Sequence, residues 1–221
     1  PMILGSMPRQ ARSVFEREAQ GLGAPLYRLG QEFQIKDEME VFDFISPLGS
    51  LENLHTSLLG PHQKNNAALA IQASLLLRFD FPKVDELAIR KGLRSATWPG
   101  RGELVRPKIL LDGAHNPQGI QALIELLEKE FPDRPKHLLF AGLKRKDLAK
   151  MLELLAGQDV TVVSFDFPGA ADLTDYPDTY AQIPDFRTWL KQAERSTDLF
   201  VVTGSLYFIS DVRHYLLNGR D

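Results

Sequence analysis

The sequence predicts an α/β protein whose carboxyl half carries a mostly parallel sheet. From residue 109 onward, short apolar runs alternate with segments whose apolar residues recur three and four positions apart, as in amphipathic helices. The first repeat is the clearest: Ile109–Leu111 predicts a buried strand, the next five residues a tight turn, and Pro117 the start of a helix. Strands joined by right-handed helical crossovers account for this alternation.

The amino half predicts a strand, a helix and a strand, followed by antiparallel strands and two helices. The expected elements are a strand within residues 1–5, a helix at 9–22, a strand at 24–29, two or three strands between 31 and 59, and helices at 67–77 and 83–95. The second of these two helices is expected to turn Val84, Leu87, Ala88 and Leu93 towards the core. Because the chain begins with an apolar strand, we expect it to be a segment of a longer protein.

The carboxyl half predicts a regular succession of strands and helices. We expect strands at 103–105, 109–111, 137–141, 160–165 and 199–203, helices from 117 and at 147–155, 184–194 and 206–217, and a long surface loop at 166–184. Asn116 is the expected N-cap of the helix that Pro117 begins. The Pro99-Gly100 pair is the best candidate for a domain boundary, which predicts domains at 1–98 and 99–221.

Composition excludes several classes of function. The 221 residues are 43% hydrophobic and 25% charged, which is ordinary for a globular chain, and a net charge of −3 disfavours nucleic acid as a partner. No apolar run approaches the roughly 20 residues that cross a bilayer, so no membrane partner is expected. The absence of Cys excludes disulfides and favours a cytoplasmic location, and the five His residues lack metal-ligand spacing.

Asp112 and His115 are the first candidate binding residues, because they follow a predicted parallel strand. Ligands of open α/β sheets bind where strand carboxyl ends meet helix amino ends, and those helix ends attract anions. A carboxylate such as Asp112 can accept hydrogen bonds from ribose hydroxyls, and His115 could stack on a base or meet a carboxylate. Alternatively, Asp112 and Asn116 only shape a turn and cap a helix. The residue types alone leave both interpretations open.

Four other features offer weaker candidates. Arg101 could bind phosphate or carboxylate with its planar fork, or form a surface or interdomain ion pair. Asn66, at the start of a predicted buried helix, could bind a ligand or cap that helix. Ser205 could face the same crevice as Asp112 or act as an N-cap. The basic loop at 144–147 also lies on the predicted ligand edge, although a loop with Asp147 capping the next helix explains it without a ligand.

Several well-known motifs are absent from the sequence. No G-x-G-x-x-G follows a strand, which counts against a dinucleotide oxidoreductase. The chain also has no G-x-S-x-G nucleophile elbow and no Walker loop for phosphate.

A set of short motifs resembles one enzyme family along essentially the whole chain. The motifs, in order, are Gly60-Pro61-His62-Gln63 with Asn66-Ala67, Trp98-Pro99-Gly100-Arg101 with Glu103, Leu111-Asp112-Gly113-Ala114-His115-Asn116-Pro117, Lys146-Asp147 and Thr203-Gly204-Ser205-Leu206-Tyr207. Together they resemble the carboxyl half of folylpolyglutamate synthase/dihydrofolate synthase, of the Mur ligase superfamily. Only the Asp112 to Pro117 motif is specific by itself, but five motifs in this order are hard to reach by chance.

The resemblance implies both a fold and an activity. Residues 1–98 would be the remainder of a central P-loop-type ATPase domain, and 99–221 a Rossmann-like Mur ligase carboxyl-terminal domain. The activity would be an ATP-dependent, ADP-forming amide ligase: ATP phosphorylates a folate or dihydropteroate carboxylate, and the amine of L-glutamate displaces phosphate. The implied partners are these small molecules and the preceding half of the same polypeptide, in an enzyme expected to be a monomer.

The resemblance also implies roles for five residues. Asn66 would contact the adenine, Arg101 the ATP phosphates and Asp112 the ribose, while His115 and Ser205 would lie near the base or the incoming glutamate. No catalytic residue is assigned to this chain. The implied cofactors are ATP and Mg²⁺, whose ligands, like the glycine-rich ATP loop and a modified Lys, would belong to the preceding half.

One departure from the family pattern and two alternatives complete the sequence-based hypothesis. Gly102 stands where the family has a larger apolar residue, which predicts a looser linker. The isolated chain is expected to be inactive because the phosphate loop is missing from it. A non-catalytic module that binds nucleotide or amino acid is one alternative. A cell-wall Mur-type amino-acid ligase is the other, although those enzymes usually carry a Lys-containing turn in place of Gly113-Ala114-His115.

Overall fold

The computed structural model describes residues 1–38, 40–193 and 195–219. The chain divides into two compact units. The first unit comprises Pro1–Ser57 and Pro61–Thr97, and the second comprises Leu58–Gly60 and the chain from Trp98 onward. Each unit is described by itself.

The first unit combines a small parallel sheet, an antiparallel sheet and three helices. Its elements are β1 (Met2–Leu4), α1 (Arg9–Gly21), β2 (Leu26–Arg28), β3 (Gln34–Glu38), β4 (Val41–Ser46), β5 (Gly49–Leu54), α2 (Pro61–Leu77) and α3 (Glu86–Ser95). Strands β1 and β2 pair in parallel, and β3, β4 and β5 form an antiparallel meander. Three phenylalanines, Phe33, Phe42 and Phe44, pack with the buried side of α2. The predicted order of elements is therefore confirmed.

Two details of the first unit differ from the expectation. Helix α2 begins at Pro61 rather than near residue 67, so Asn66 lies inside the helix and not at its amino end. In α3, Ile89 is buried, whereas Leu87 is 74% exposed. Residues two positions apart on a helix point about 200° apart, so the face that buries Ile89 must expose Leu87. The predicted core positions Leu87 and Ala88 are thus wrong.

The second unit contains a six-stranded sheet. Its elements are β6 (Glu103–Arg106), β7 (Ile109–Leu111), α4 (Pro117–Glu130), β8 (Lys136–Phe140), α5 (Leu148–Leu154), β9 (Asp159–Val163), β10 (Ala181–Ile183), α6 (Phe186–Ala193), β11 (Leu199–Thr203) and α7 (Leu206–Asn218). The strand order is β10-β9-β8-β11-β7-β6, and all neighbours are parallel except β6 and β7. This confirms the predicted mostly parallel sheet.

The segment 166–184 is not wholly a loop, as predicted. It contains a 3-10 turn at Leu173–Asp175 and the edge strand β10, which pairs in parallel with β9. Strand β10 has the sequence Ala-Gln-Ile with only its last residue partly buried, so it carries no apolar alternation that would reveal a strand. Glu194, the expected end of the following helix, lies outside the described residues.

Side chains of the parallel strands alternate between two apolar layers. Leu110, Leu138 and Val201 pack against α4 and α5, and Leu59 joins this layer. Leu111, Leu139 and Val202 pack against α6 and α7 on the other face. Because β11 lies between β7 and β8 but leads to a helix on the opposite face, the loops diverge at the carboxyl ends of these strands. Divergence of this kind opens the ligand-binding crevice of α/β sheets.

Candidate functional site

The carboxyl ends of β7, β8 and β11 surround a cavity of about 290 Å³, which we call the carboxyl-edge cavity. The loop after β7 contributes His115, and the loop after β11 contributes Ser205. The loop after β8 contributes Arg145 and Lys146. The structure thus brings two of the five predicted site residues together with the basic loop that the sequence left in doubt.

Close approach of the three loops depends on small residues. The amide of Gly204 donates to the carbonyl of Ala114 at 3.0 Å, and Gly204 has a φ of +106°. A Cβ atom on Gly204 would lie 2.4 Å from the carbonyl oxygen of Ala141. A Cβ atom on Gly113 would lie 2.2 Å from the Leu206 side chain. Glycine at these two positions therefore lets the loops converge on one cavity.

His115 has a defined tautomer. Its Nδ1 atom lies 2.8 Å from the carbonyl oxygen of Gly113. Since a carbonyl oxygen only accepts, Nδ1 must carry the proton, and Nε2 of the neutral ring keeps its lone pair. The half-buried ring lines the carboxyl-edge cavity. His115 can therefore accept a hydrogen bond from a ligand through Nε2.

Asp112 organises the backbone around it. The carboxylate is buried, and its two oxygens accept hydrogen bonds from the amides of Ala114 at 2.9 Å and Gly102 at 2.8 Å. The turn-shaping interpretation that the sequence left open is therefore realised in the structure.

The segment around Arg101 is fixed to the loop after β7. Gly113 donates to the carbonyl of Gly100 at 2.7 Å, and Gly100 donates to Glu103 Oε2 at 2.8 Å. The expectation that Gly102 loosens this segment is wrong. A Cβ atom there would lie 3.0 Å from Leu126 Cδ1, and the amide is held by Asp112.

Glu103 and Arg101 carry the charges of this segment. Burial raises the pKa of Glu103, but hydrogen bonds from Arg213 at 2.9 Å and from the Gly100 amide outweigh it, so the pKa is lowered below its ordinary value. The Glu103 carboxylate is therefore ionised and bound. In the part of the chain that the structure describes, the guanidinium of Arg101 makes no hydrogen bond or ion pair, so its five donors are available to a ligand.

Asn66 belongs to the first unit, whereas the other four predicted site residues belong to the second. It is exposed on α2, and its Nδ2 atom donates to Gln63 Oε1 at 3.1 Å. The Gln63 Nε2 atom lies 3.0 Å from His62 Nε2. The helix-capping alternative for Asn66 is wrong, because its amide is held within the helix by Gln63. The sequence placed His62 and Gln63 in a motif but assigned neither residue a role.

Ser205 occupies the N-cap position of α7, but its side chain makes no capping hydrogen bond. The residue is only 2% exposed and lines the carboxyl-edge cavity. The capping alternative therefore does not account for its hydroxyl.

Comparison with known proteins assigns the chain to a family. Residues 100–206 match the model of the Mur ligase, glutamate ligase domain. The chain is 34% identical to the dihydrofolate synthase/folylpolyglutamate synthase of Bacillus subtilis, over 98% of this chain and 54% of that protein. The chain belongs to the folylpolyglutamate synthase/dihydrofolate synthase family. It spans about half the length of the curated relatives it matches.

Solved structures of the folylpolyglutamate synthase/dihydrofolate synthase family share this fold. The folylpolyglutamate synthase of Thermotoga maritima matches with a TM-score of 0.81 and 30% identity, over 100% of this chain and 55% of that one. The folylpolyglutamate synthase of Mycobacterium tuberculosis, described as complexed with ADP and AMPPCP, matches with a TM-score of 0.84 and 26% identity. The match covers 99% of this chain and 55% of that one. The mostly parallel sheet of the second unit thus fits a Rossmann-like Mur ligase carboxyl-terminal domain, as the resemblance implied.

In this family member, the β8–α5 loop is held by contacts that the sequence did not reveal. Lys144 pairs with Asp172 at 2.6 Å and with Asp175 at 3.1 Å. The hydroxyl of Tyr176 accepts from the Gly142 amide at 3.0 Å, and burial raises the pKa of Tyr176 to about 12. Asp147 caps α5 by accepting from the Lys150 amide at 3.0 Å, as predicted. These contacts leave Arg145 and Lys146 to line the cavity.

An aromatic wall is the other feature that sequence reasoning missed. Tyr207 lines the carboxyl-edge cavity and stacks on Phe167 with ring centroids 3.9 Å apart. Phe167 comes from the long segment after β9, so no local pattern could pair the two rings. The wall offers a flat apolar surface beside the basic loop.

The described residues contain neither a cluster of metal ligands nor a membrane-spanning helix. Within residues 1–38, 40–193 and 195–219, no group of three or more His, Asp or Glu side chains could hold a metal ion. In the same ranges, none of the helices has the length and apolar character needed to cross a membrane.

Proposed function

We propose that this chain is the carboxyl-terminal part of an ATP-dependent ligase that adds L-glutamate to folate or dihydropteroate through an acyl phosphate. The observation that carries the proposal is the carboxyl-edge cavity, in which an imidazole, a buried hydroxyl and two cations converge in a member of this family. The relative described as complexed with ADP and AMPPCP supports nucleotide as one ligand.

Three residues would bind the nucleotide. Arg101 suits the ATP phosphates, because a guanidinium with no internal partner can form paired hydrogen bonds with phosphate oxygens. Asp112 would accept a hydrogen bond from a ribose hydroxyl. Asn66, whose amide Gln63 orients, would meet the adenine.

The carboxyl-edge cavity would hold the incoming glutamate. Its amine nitrogen attacks the acyl-phosphate carbon; the C–N bond forms, the C–O bond to phosphate breaks, and the nitrogen loses a proton. The Nε2 lone pair of His115 and the Ser205 hydroxyl would orient this amine, while Arg145 and Lys146 would attract the glutamate carboxylates. Positioning of anionic reactants by fixed cations is the main task in such chemistry.

Other parts of the proposal concern groups outside this chain. Mg²⁺ would neutralise phosphate charge when bound, and the family resemblance implies that its ligands would lie in the preceding half of the polypeptide. That half would also supply the phosphate loop. We further propose that the complete enzyme works in the cytoplasm as a monomer.

The test uses the complete polypeptide that includes this chain, assayed for glutamate-dependent ADP release. Replacing Arg101→Gln should raise the KM for ATP about tenfold or more, because a charged hydrogen bond to phosphate is lost. Replacing His115→Gln should instead raise the KM for glutamate. Arg94→Gln, which removes an exposed cation of α3, is the matched control and should change neither.

Two outcomes would contradict the proposal. An absence of ATP turnover with every folate substrate would favour a non-catalytic module that only binds nucleotide or amino acid. Equal effects of the Arg101 and Arg94 substitutions would remove the assigned phosphate contact. Asp112→Ala is a poor test, because it also releases the amides of Gly102 and Ala114.

A further inference from the structure

A second cavity, which we call the basic cavity, lies at the opposite edge of the sheet in the second unit, beside the amino end of β7. Its volume is about 200 Å³, and its walls come from the β6–β7 turn, α6 and α7. None of its lining residues belongs to the carboxyl-edge cavity. It is therefore a separate feature that the proposed ligase chemistry does not use.

Positive charge is concentrated around the basic cavity. Two arginines and two lysines line it, namely Arg106, Lys108, Arg187 and Lys191, and none of the described lining residues is acidic. The chain as a whole has a net charge of −3, so this is a local reversal of sign. Neighbouring like charges repel and do not stabilise a fold. Asp185, which lies 3.2 Å from Arg187, offsets only one of the four charges.

Three of the four cations are held in place by other contacts. The Arg187 guanidinium lies over the rings of Phe186 at 4.8 Å and Tyr215 at 5.4 Å. Arg106 donates to the Leu216 carbonyl at 2.9 Å, and Lys108 donates to a backbone carbonyl, that of Ser196, at 2.5 Å. Arg and Lys have five and three donors, so these contacts leave further N–H groups for a ligand. Side chains that are already ordered lose less entropy on binding.

The fourth cation and the apolar floor complete the cavity. Lys191 is exposed in the last turn of α6, and it makes no hydrogen bond or ion pair with any residue the structure describes. The floor consists of apolar side chains: Ile109, Leu190, Ala193, Tyr215 and Leu216. An apolar floor with a few convergent polar groups is typical of small-molecule sites.

We propose that the basic cavity binds a small amphipathic anion. Its apolar body contacts Leu190 and Leu216, and its carboxylate or phosphate groups bind Arg187 and Lys191. An aromatic dicarboxylate is the simplest ligand of this class, because its planar ring suits a small cavity floored by aliphatic and aromatic side chains. Its two charges match the cations that α6 and the β6–β7 turn place around the opening.

The test is calorimetric titration of the purified chain with isophthalate, benzoate and the neutral benzamide. Isophthalate should bind more tightly than benzoate, benzamide should not bind, and added salt should weaken the binding of both anions. Lys191→Gln should weaken isophthalate binding about fivefold, the effect of losing one partly exposed charge contact. Lys129→Gln is the matched control, because Lys129 is an exposed lysine in the last turn of α4, on the other face of the sheet.

Amide chemical shifts in NMR spectra of the titrated chain identify where isophthalate binds. Shifts confined to α6, α7 and the β6–β7 turn would support the proposal, and shifts centred elsewhere would overturn it. Equal weakening by the Lys191 and Lys129 substitutions, equal binding of benzamide, or no heat at millimolar isophthalate would overturn it as well. Because Lys191 is exposed, its substitution should leave the unfolding temperature unchanged, which separates lost binding from lost folding.

Discussion

Gly204 stands where β11 turns into α7, with its backbone in a conformation that other residues rarely adopt. The Thr203-Gly204-Ser205 motif marked this turn in the sequence, but the reason for the glycine is visible only in the structure. The carbonyl of Ala141, more than 60 residues away in the sequence, occupies the space that a Cβ atom would need. Such long-range steric limits leave no local pattern.

Gly204→Ala should lower the free energy of unfolding by about 2–4 kcal/mol, measured by urea denaturation. The cost combines a positive φ in a residue with a Cβ atom and a clash with backbone. Gly157→Ala is the control, since Gly157 has a φ of +87° but open space around its Cβ position. A loss no greater than that of Gly157→Ala would show that the loops can separate at little cost.

Gln72 is an unusual residue of α2. It is fully buried, and both polar atoms of its side chain lack a hydrogen-bond partner among the described residues. Gln72→Met should raise the free energy of unfolding by about 1–2 kcal/mol, because a buried, unpaired amide is replaced by an apolar side chain of similar size. The exposed Gln121→Met should change it by less than about 0.5 kcal/mol. A fall in stability for Gln72→Met would show that the amide is paired in solution.

The strands β8, β9 and β11 are linked at their amino ends by a group of three ionisable residues. Nδ1 of His137, in β8, lies 2.5 Å from Asp159 of β9, and Nε2 lies 3.0 Å from Asp198, next to β11. With a carboxylate at each nitrogen, the ring is best placed as a doubly protonated imidazolium. Burial lowers the pKa of His137, but the hydrogen bonds that the ring donates to Asp198 and Asp159 outweigh it and raise the pKa above 6.5.

This group predicts a pH-dependent stability. Because the pKa of His137 is higher in the folded chain, the contribution of His137 to the free energy of unfolding is fully present below about pH 6.5. This contribution is lost as the pH rises through the folded pKa. The hydrogen bond from His137 lowers the pKa of Asp198 below 3.8, so on the acid side the contribution is lost as the pH falls through that lowered pKa. Urea denaturation should show a larger stability difference between the wild type and His137→Gln near about pH 5.5 than near about pH 8.5. A difference independent of pH would mean that only ring packing on Phe200 is lost.

At the level of elements, the sequence predicts those helices and strands whose apolar residues recur at a regular spacing. Helix α4, with Asn116 accepting from the Gly119 amide at 2.7 Å and Pro117 at its start, could be predicted from capping chemistry and spacing alone. Strand β10 could not, because its pairing with β9 comes from tertiary contacts. The tyrosine and phenylalanine of the aromatic wall likewise meet through the fold.

At the scale of the whole chain, we make one prediction about its enzymatic activity. The isolated chain should release no ADP from ATP in the presence of folate or dihydropteroate and glutamate, because the phosphate loop is expected in the preceding half. A coupled ADP assay checks this, with the complete polypeptide as the positive control. Folate-dependent ADP release by the chain alone, free of contaminating full-length enzyme, would contradict the expectation that ATP turnover needs the preceding half.

For the candidate site, the sequence predicted that two of the loop ends lie close together, but not the contacts that hold the loops in place. His115 and Ser205 were found because they follow parallel strands, and the structure places both at one cavity. The hydrogen bond that Asp112 accepts from the Gly102 amide could not be predicted, since it joins the segment after Trp98 to the loop after β7. That bond also overturned the expected looseness at Gly102.

The three residues Leu58–Gly60 have a consequence for dissecting this protein into fragments. They precede α2 in the sequence but belong to the second unit, where Leu59 packs against its core. A recombinant fragment beginning at Trp98 would therefore lack a side chain that packs against its own core. Supplying a short peptide that contains Leu59, or a circular permutant that carries it, is the rational route to an autonomous version of the second unit.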